Sequence, residues 1–188
     1  MNADREKFIS KFLSYVLRHK PEEINLELDN FGWADVKLLL AKAEKKGKSF
    51  TLKELEYVVA NKAKLRFAFN EDKSKIRANQ GHSIQVDLAL QPVIPPNLLY
   101  HGTVARFLDS IKQNGLQKMN RQHVHLRPDI ETAINVGSRR GKPLILTIEA
   151  GKMHVAGFQF CQSKNGVWLT NEVPPEFIKV EDKVRSRS

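Results

Sequence analysis

The stretch Leu17-Arg-His-Lys-Pro21 ends the first strongly patterned segment of the chain. Upstream of it, apolar residues recur in pairs between Phe8 and Leu17, at the spacing of one face of a helix. Proline disfavours the α conformation of the residue before it, so we predict a helix over Asp4–His19 that Pro21 stops. Arg18 and His19 would then lie side by side at a helix end.

These two basic residues have two interpretations. Cationic side chains near a helix C-terminus interact favourably with the helix dipole and are a common stop signal. Alternatively, Arg18 binds an anion beside an imidazole, His19, that can transfer a proton at neutral pH. This stretch alone is compatible with both.

The composition favours an anionic partner. The chain has 188 residues, of which 41% are hydrophobic, enough for a core, and its net charge is +10, shared between both halves. Such a surplus of positive charge favours RNA, DNA, a nucleotide or a membrane surface as the partner. It is also compatible with a basic protein that has no such partner. Cys161 is the only cysteine, which excludes a disulfide framework and a cysteine-based zinc site.

The sequence shows neither the pattern of a signal peptide nor that of a membrane span. The charged residues Asn2–Lys7 are not followed by the apolar run of a signal peptide, and no segment is long enough to span a bilayer. We therefore expect a cytoplasmic protein without a membrane partner.

The first half, residues 1–90, has the outline of a winged-helix module. A second helix begins near Val36, and the capping box Thr51-Leu-Lys-Glu54 opens a third. The residues from Phe67 to Ile76 alternate around Asn70-Glu-Asp-Lys73 and predict a hairpin. Winged helices often bind nucleic acid, but a fold does not fix a function.

Residues 91–96, Gln-Pro-Val-Ile-Pro-Pro, predict a stiff linker to a second domain over residues 97–181. There the pattern indicates an α+β domain with a mainly antiparallel sheet. Helices are predicted over Val104–Asn114 and Asp129–Val136. Strands are predicted over Leu98–Tyr100, His123–Leu126, Leu144–Ile148, Val155–Phe160, Val167–Leu169 and Phe177–Val180. Residues 182–188 are predicted to be a disordered tail.

Arginine and histidine recur at predicted strand and turn positions. Arg121, His123 and His125 lie two apart, which in a strand places all three on one face, either solvated or turned to an anion. His123 and His125 could form half of a metal site, but no carboxylate or cysteine nearby completes it, and we predict no metal. The basic turn Gly137-Ser-Arg-Arg-Gly141 is either a solvated loop or a phosphate-binding nest.

Several segments together resemble the NAD-dependent RNA 2′-phosphotransferase (tRNA 2′-phosphotransferase) family, from about Lys11 to Ile178. They are Ser14-Tyr-Val-Leu-Arg-His19, Leu28-Asp-Asn-Phe-Gly-Trp33, Arg66-Phe67, Ile76-Arg-Ala-Asn-Gln-Gly-His-Ser83, Tyr100-His-Gly-Thr103, Met119-Asn-Arg-Gln-His-Val-His-Leu126, Val136-Gly-Ser-Arg139 and Gly166-Val-Trp-Leu169. Each segment is a weak signal, but their order and spacing match those of the family.

The resemblance implies an N-terminal winged-helix lobe that holds RNA and a C-terminal ADP-ribosyltransferase-like lobe that holds NAD. It also implies the reaction. An internal 2′-phosphate of RNA, as at a tRNA splice junction, attacks NAD and expels nicotinamide, which forms a 2′-phospho-ADP-ribosyl RNA intermediate. A second step releases ADP-ribose 1″,2″-cyclic phosphate and leaves a 2′-hydroxyl, so NAD is consumed. We expect 2′-phosphorylated RNA, a tRNA, as the partner of a monomer.

The resemblance assigns site residues in three groups. The catalytic tetrad of the family maps onto Arg18, His19, Arg66 and Arg121. The NAD-binding residues are expected to be Tyr100, His101, Gly102, Thr103, His125, Leu126, Ser138 and Arg139. The expected RNA phosphate contacts are Arg77, Gln80 and His82. Fixed guanidiniums suit a phosphate that stays charged through both steps.

Two positions bear on the alternatives. Val167 falls where protein ADP-ribosyltransferases carry a glutamate, which argues against protein modification. Arg127 stands where the family usually has a serine that lines the nicotinamide pocket, so the resemblance does not give the lining of that part of the pocket. The alternatives are an ADP-ribosyltransferase that caps nucleic-acid terminal phosphates and a non-catalytic RNA-binding module.

Overall fold

Amphipathic helices and short antiparallel strands alternate along the chain in a computed structural model that describes residues 1–61 and 65–180. Two units follow one another, Met1–Ala89 and a second from Leu90 onward. The predicted tail, residues 182–188, lies outside the described residues. Within the described ranges, none of the helices has the length and apolar character needed to cross a membrane.

The first unit contains three helices and three strands among its described residues. They are α1 (Ala3–Arg18), β1 (Ala34–Asp35), α2 (Val36–Lys45), α3 (Leu52–Ala60), β2 (Phe67–Phe69) and β3 (Lys75–Ala78), with a short 3₁₀ turn over Pro21–Ile24. The three predicted helices and the predicted hairpin are confirmed.

Local signals explain where these helices begin. The side chain of Asn2 accepts a hydrogen bond from the backbone nitrogen of Arg5 at 2.8 Å, which caps α1. At α3, the Glu54 nitrogen donates to the Thr51 hydroxyl and the Thr51 nitrogen donates to the Glu54 carboxylate, so the predicted capping box is present. The apolar face of α1, including Ile9, Leu13 and Leu17, is fully buried.

The strands of the first unit form one antiparallel sheet in the order β1-β3-β2. Phe67 pairs with Ala78, and Ala34 pairs with Ile76. These residues are buried, and they join one core with α1, α2 and α3. The sheet therefore fixes the residues just before β2 against the end of α1.

The second unit begins its regular structure with the strand β4. Its elements are β4 (Leu99–Val104), a 3₁₀ turn (Ala105–Phe107), α4 (Leu108–Asn114), β5 (Leu116–Gln117), β6 (Val124–Leu126), α5 (Ile130–Gly137), a 3₁₀ turn (Ser138–Arg140), β7 (Pro143–Ile148), α6 (Ala150–Val155), β8 (Cys161–Gln162), β9 (Trp168–Thr170), β10 (Glu172–Val173), a 3₁₀ turn (Pro175–Phe177) and β11 (Ile178–Val180).

These strands form small sheets in the orders β11-β7-β4, β6-β9-β8 and β10-β5, and every pair is antiparallel. An isolated bridge between Tyr100 and Arg127 links β4 to the end of β6. The described chain is therefore a mixture of helices and antiparallel sheet, which confirms the α+β class.

Three predictions in the second half need correction. The strand predicted over Val155–Phe160 is wrong, because the chain there completes α6 and turns at Gly157, whose φ is +95°. The segment Val104–Asn114 is only partly α-helical, since a 3₁₀ turn precedes Leu108. The strand expected to carry Arg121, His123 and His125 begins only at Val124.

Candidate functional site

The first unit brings Arg18 and Arg66 into contact. Arg18 is the last residue of α1, and Arg66 precedes β2 by one position. The Nη2 atom of Arg18 donates to the backbone oxygen of Arg66 at 3.4 Å, and the Arg18 guanidinium lies 5.7 Å from the centroid of the Phe67 ring. Two predicted site residues that are distant in sequence are thus neighbours at one helix end.

Arg66 is anchored by groups of the core. Its Nη1 atom donates to the hydroxyl of Ser10 at 2.9 Å, and Ser10 is only 5% exposed. Its backbone oxygen also accepts from the nitrogen of Asn79 at 2.9 Å. Because the bond from Asn79 fixes its backbone and the bond to Ser10 of α1 holds its Nη1 atom, the Arg66 side chain has little freedom to reorient.

His19 is positioned by Ser83. The Nδ1 atom of His19 lies 2.9 Å from the Ser83 hydroxyl oxygen. The backbone nitrogen of Ser83 donates to the backbone oxygen of Arg18 at 2.9 Å, so Ser83 also satisfies a terminal carbonyl of α1. Ser83 belongs to the segment Ile76–Ser83 but was not among the predicted site residues. Sequence reasoning missed it because its partner lies 64 positions away.

Arg77 projects from the other face of the hairpin. Ile76 and Ala78 are buried, so the alternation of a strand turns Arg77 away from the core. Its guanidinium lies 4.5 Å from the centroid of the Trp33 ring, and its Nη1 atom donates to the Phe31 oxygen at 3.4 Å. Burial lowers the pKa of Arg77, and the carboxylate of Asp29 opposes that shift.

The other two predicted RNA phosphate contacts are buried. Gln80 is 8% exposed and His82 is 1% exposed. His82 lies behind the turn at Gly32, where an added Cβ would come within 3.6 Å of its Nε2 atom. Of the three predicted residues, Arg77 therefore has the most accessible side chain.

In the second unit, Gly102 allows a helix to lie directly on β4. A Cβ added at Gly102 would be 1.9 Å from the backbone oxygen of Ala133 and 2.9 Å from the nitrogen of Gly137. Both residues belong to α5, and the 3₁₀ turn with Ser138 and Arg139 follows it at once. The close approach places this basic turn beside the strand that carries the predicted NAD-binding residues.

A hydrogen-bonded group connects β4 to β6 and to the turn before it. The Nδ1 atom of His101 lies 3.1 Å from the backbone oxygen of His125, so it donates to that carbonyl. The Nη1 atom of Arg121 lies 2.8 Å from the Nδ1 atom of His125. Tyr100 and Arg127 exchange two backbone hydrogen bonds of 2.8 Å each. The predicted residues Tyr100, His101, Arg121 and His125 are thus brought together.

Four arginines of this unit interact electrostatically. Burial, then the charges of Arg140 and Arg139, lower the pKa of Arg121. Burial lowers the pKa of Arg127, and the charges of Arg139 and Arg121 lower it further. The carboxylate of Asp129 opposes this shift. We call Arg121, Arg127, Arg139 and Arg140 the arginine cluster. Arg127 and Arg140 were not among the predicted site residues, although Arg127 stands at the expected nicotinamide pocket and Arg140 lies in the basic turn Gly137-Ser-Arg-Arg-Gly141.

The same charges act on His101. Burial lowers its pKa, its hydrogen bond to the His125 carbonyl opposes the shift, and Arg140, Arg127 and Arg121 lower the pKa further. His101 is therefore neutral at pH 7. Its proton lies on Nδ1, so Nε2 carries a lone pair that can accept a hydrogen bond from a hydroxyl.

The remaining predicted residues of this unit have structural contacts. Thr103 is 7% exposed and Leu126 is fully buried in the core, so a ligand could reach mainly their backbone. The hydroxyl of Ser138 donates to the backbone oxygen of Ile134 at 2.8 Å, within the turn that ends α5. Arg139 follows in the same 3₁₀ turn and is exposed.

The donor set of the second unit fits a dinucleotide. Arg127, Arg139 and Arg140 suit the two negative charges of a pyrophosphate, because guanidiniums bind phosphate oxygens in pairs. The Nε2 atom of His101 suits a ribose hydroxyl. Residues 1–61 and 65–180 contain no group of three or more histidine, cysteine or acidic side chains that could hold a metal ion.

Comparison with known proteins supports a family assignment. The family model described as "RNA 2′-phosphotransferase, Tpt1 / KptA family" matches residues 4–172. This chain belongs to that family. A relative named "Probable RNA 2′-phosphotransferase" from Flavobacterium johnsoniae is 58% identical over 95% of this chain and 98% of its own length.

Two further relatives carry the same name. The protein from Hahella chejuensis is 53% identical over 92% of this chain and 93% of its own. The protein from Burkholderia pseudomallei is 55% identical over 90% and 92%. The RNA 2′-phosphotransferase family resemblance inferred from the sequence is confirmed, and the region matched by the family model, residues 4–172, contains every predicted site residue.

Proposed function

We propose that this protein is an NAD-dependent RNA 2′-phosphotransferase that removes an internal 2′-phosphate from RNA. The observation that carries the proposal is the contact of Arg18 with Arg66 beside His19, in a chain of the RNA 2′-phosphotransferase family. A phosphate monoester needs fixed positive charge and several hydrogen-bond donors, and two guanidiniums held by the core supply both.

Arg18, Arg66 and Arg121 are proposed as phosphate-binding residues, as the resemblance to the family implies. Guanidiniums stay charged at any working pH, so the phosphate oxygens keep their partners while their charge redistributes during reaction. Arg66 would bind with little loss of side-chain entropy, because Ser10 already holds its Nη1 atom at 2.9 Å. Losing one such contact should cost about 1.5–3 kcal/mol in binding.

NAD is proposed to bind the second unit. When bound, it supplies an electrophilic ribose carbon whose leaving group is nicotinamide. Arg139, with Arg127 nearby, would bind the pyrophosphate, and the Nε2 atom of His101 would accept a hydrogen bond from a ribose hydroxyl. The released products would be nicotinamide and ADP-ribose 1″,2″-cyclic phosphate, with a 2′-hydroxyl left on the RNA.

His19 is proposed to act in the second step. The Ser83 hydroxyl lies 2.9 Å from its Nδ1 atom, which orients the ring. An imidazole held in this way is proposed to take the proton of the ribose hydroxyl that attacks the phosphate, as a general base does. A His19→Ala variant that converts isolated 2′-phospho-ADP-ribosyl RNA at the wild-type rate would remove this role.

Two architectural proposals accompany the function. The three helices and hairpin of residues 1–90 are proposed to be a winged-helix lobe that binds RNA, with Arg77 as a phosphate contact. Residues 97–181 are proposed to be an ADP-ribosyltransferase-like lobe. The order of three helices followed by β2 and β3 supports the first, and the group around His101 supports the second.

The deciding experiment is incubation of a 2′-phosphorylated oligonucleotide with and without NAD. We expect loss of the phosphate only with NAD, and release of ADP-ribose cyclic phosphate together with nicotinamide. Arg18→Ala should lose most of this activity, whereas Lys112→Ala, at an exposed cation of α4, should keep it. A product in which ADP-ribose stays attached to a terminal phosphate would instead indicate a capping ADP-ribosyltransferase.

A further inference from the structure

Among residues 1–61 and 65–180, the hydrogen-bond partner of the Arg121 side chain is an imidazole, and no carboxylate forms an ion pair with it. Its Nη1 atom lies 2.8 Å from the Nδ1 atom of His125. The charges that shift the pKa of Arg121 come from Arg140 and Arg139, and both are repulsive. Without an attractive partner, repulsion would push this side chain toward solvent.

The chemistry of the contact fixes the state of His125. A guanidinium has only donors and does not deprotonate in proteins, so Nδ1 of His125 must be the acceptor and carry no proton. The proton of the neutral ring therefore lies on Nε2. The contact is a charge-assisted hydrogen bond, which is stronger than one between neutral groups.

A neutral acceptor has an advantage over a carboxylate here. A carboxylate at the same place would hold the guanidinium but would also cancel most of its charge and compete with an incoming phosphate. The imidazole holds one Nη atom and leaves the full positive charge and the other donors of the fork for an anion.

His125 is itself fixed by the fold. It lies in the middle of β6, paired with Leu169 of β9. Its backbone oxygen accepts from Nδ1 of His101 at 3.1 Å. Arg121, in contrast, lies in an irregular turn closed by the hydrogen bond from its nitrogen to the Lys118 oxygen at 3.0 Å. The rigid strand thus carries the acceptor, and the turn carries the arginine that needs positioning.

We propose that His125 is a positioning residue that holds Arg121 in the orientation that binds the 2′-phosphate. This inference rests on the proposed function, because Arg121 is assigned to the phosphate only there. It adds a second role for a residue expected to contact NAD, and this role is independent of NAD.

The test measures binding without NAD. The affinities of a 2′-phosphorylated oligonucleotide and of its unphosphorylated twin are compared, and their ratio reports on the phosphate contact alone. We expect His125→Leu to lower the ratio roughly tenfold, the range of a charge-assisted hydrogen bond. His125→Asn, whose amide oxygen can replace Nδ1 as acceptor, should recover part of it. His123→Leu is the matched control and should leave the ratio unchanged.

A double-mutant cycle separates positioning from a general structural effect. In an Arg121→Ala background, His125→Leu should change the ratio less than about twofold, because the two residues act through one contact. An equal loss in both backgrounds would overturn the proposal, as would an unchanged ratio in His125→Leu. A wild-type protein without preference for the phosphorylated oligonucleotide would instead overturn the proposed function itself.

A measurement on the unsubstituted protein covers the case in which His125→Leu does not fold. Nitrogen-15 spectra of the imidazoles should show His125 with its proton on Nε2 at pH 7.5, and Arg121→Ala should change the Nδ1 shift. A proton on Nδ1 of His125 in the wild-type protein would overturn the proposal.

Discussion

Replacing Gly102 with alanine should strongly destabilise the second unit. A Cβ at this position would meet the backbone oxygen of Ala133 at 1.9 Å and the nitrogen of Gly137 at 2.9 Å. Both contacts are to backbone atoms of α5, so no side-chain rotation relieves them. The helix would have to move away from β4, which would also displace the turn that carries Arg139.

The expected magnitude follows from overpacking a close-packed interior. Such substitutions cost about 1–3 kcal/mol, and a backbone contact this short belongs at the upper end, about 3 kcal/mol. The φ angle of Gly102 is not in the left-handed region, so backbone strain adds nothing and the cost is steric. Gly137→Ala is the graded comparison. Its Cβ would lie 3.1 Å from the Pro143 Cβ and from the Thr103 oxygen, which predicts a smaller cost.

Urea unfolding followed by tryptophan fluorescence measures this effect. The chain has two tryptophans, Trp33 in the first unit and Trp168, which is 7% exposed, in the second. In a Trp33→Phe background, the signal reports on the second unit alone. A Gly102→Ala protein whose free energy of unfolding lies within about 0.5 kcal/mol of the parent would refute the packing of α5 on β4. So would a larger loss for Gly137→Ala than for Gly102→Ala.

Three further predictions concern charge. The hydrogen bond from Arg5, with that from Thr51, lowers the pKa of Glu54 from 4.5 to about 2, so its stabilising contribution is complete above pH 4.5 and is lost as the pH falls toward 2. Glu54→Gln should remove this part of the acid dependence of unfolding, followed by Trp33 fluorescence. Burial lowers the pKa of His101 below its usual 6.5, so nitrogen-15 spectra at pH 6.5 should show a mainly neutral ring, and protonation at lower pH should destabilise the unit. Arg77→Gln should weaken RNA binding regardless of sequence and reduce the slope of log affinity against log salt concentration by about 0.7, as for one phosphate contact on a single strand.

The first unit was largely predictable because its signals are local. The apolar spacing up to Leu17, the proline at position 21 and the capping box at Thr51 act within one or two turns of a helix. The hairpin of β2 and β3 likewise follows from alternation around a short polar turn. These elements form where the sequence places them because their hydrogen bonds join near neighbours.

Local patterns failed where packing decides between helix and strand. The alternating apolar residues of Val155–Phe160 predict a strand, yet Val155 ends a helix and is 87% exposed. Phe158 instead packs edge-on against Phe177, with 5.8 Å between ring centroids. Gly157, a common residue just beyond a helix end, was the signal that could have corrected the prediction.

The sequence by itself determined the α+β class, the family and the candidate residues, because helix caps, periodicity and spaced motifs are written along the chain. Only the tertiary structure decided how those residues are held. The contact of Arg18 with Arg66 spans 48 positions, and the approach of α5 to Gly102 joins two elements that no local pattern connects. Hydrogen bonds and steric contacts between distant segments depend on how helices and strands dock, which is a property of the packed core.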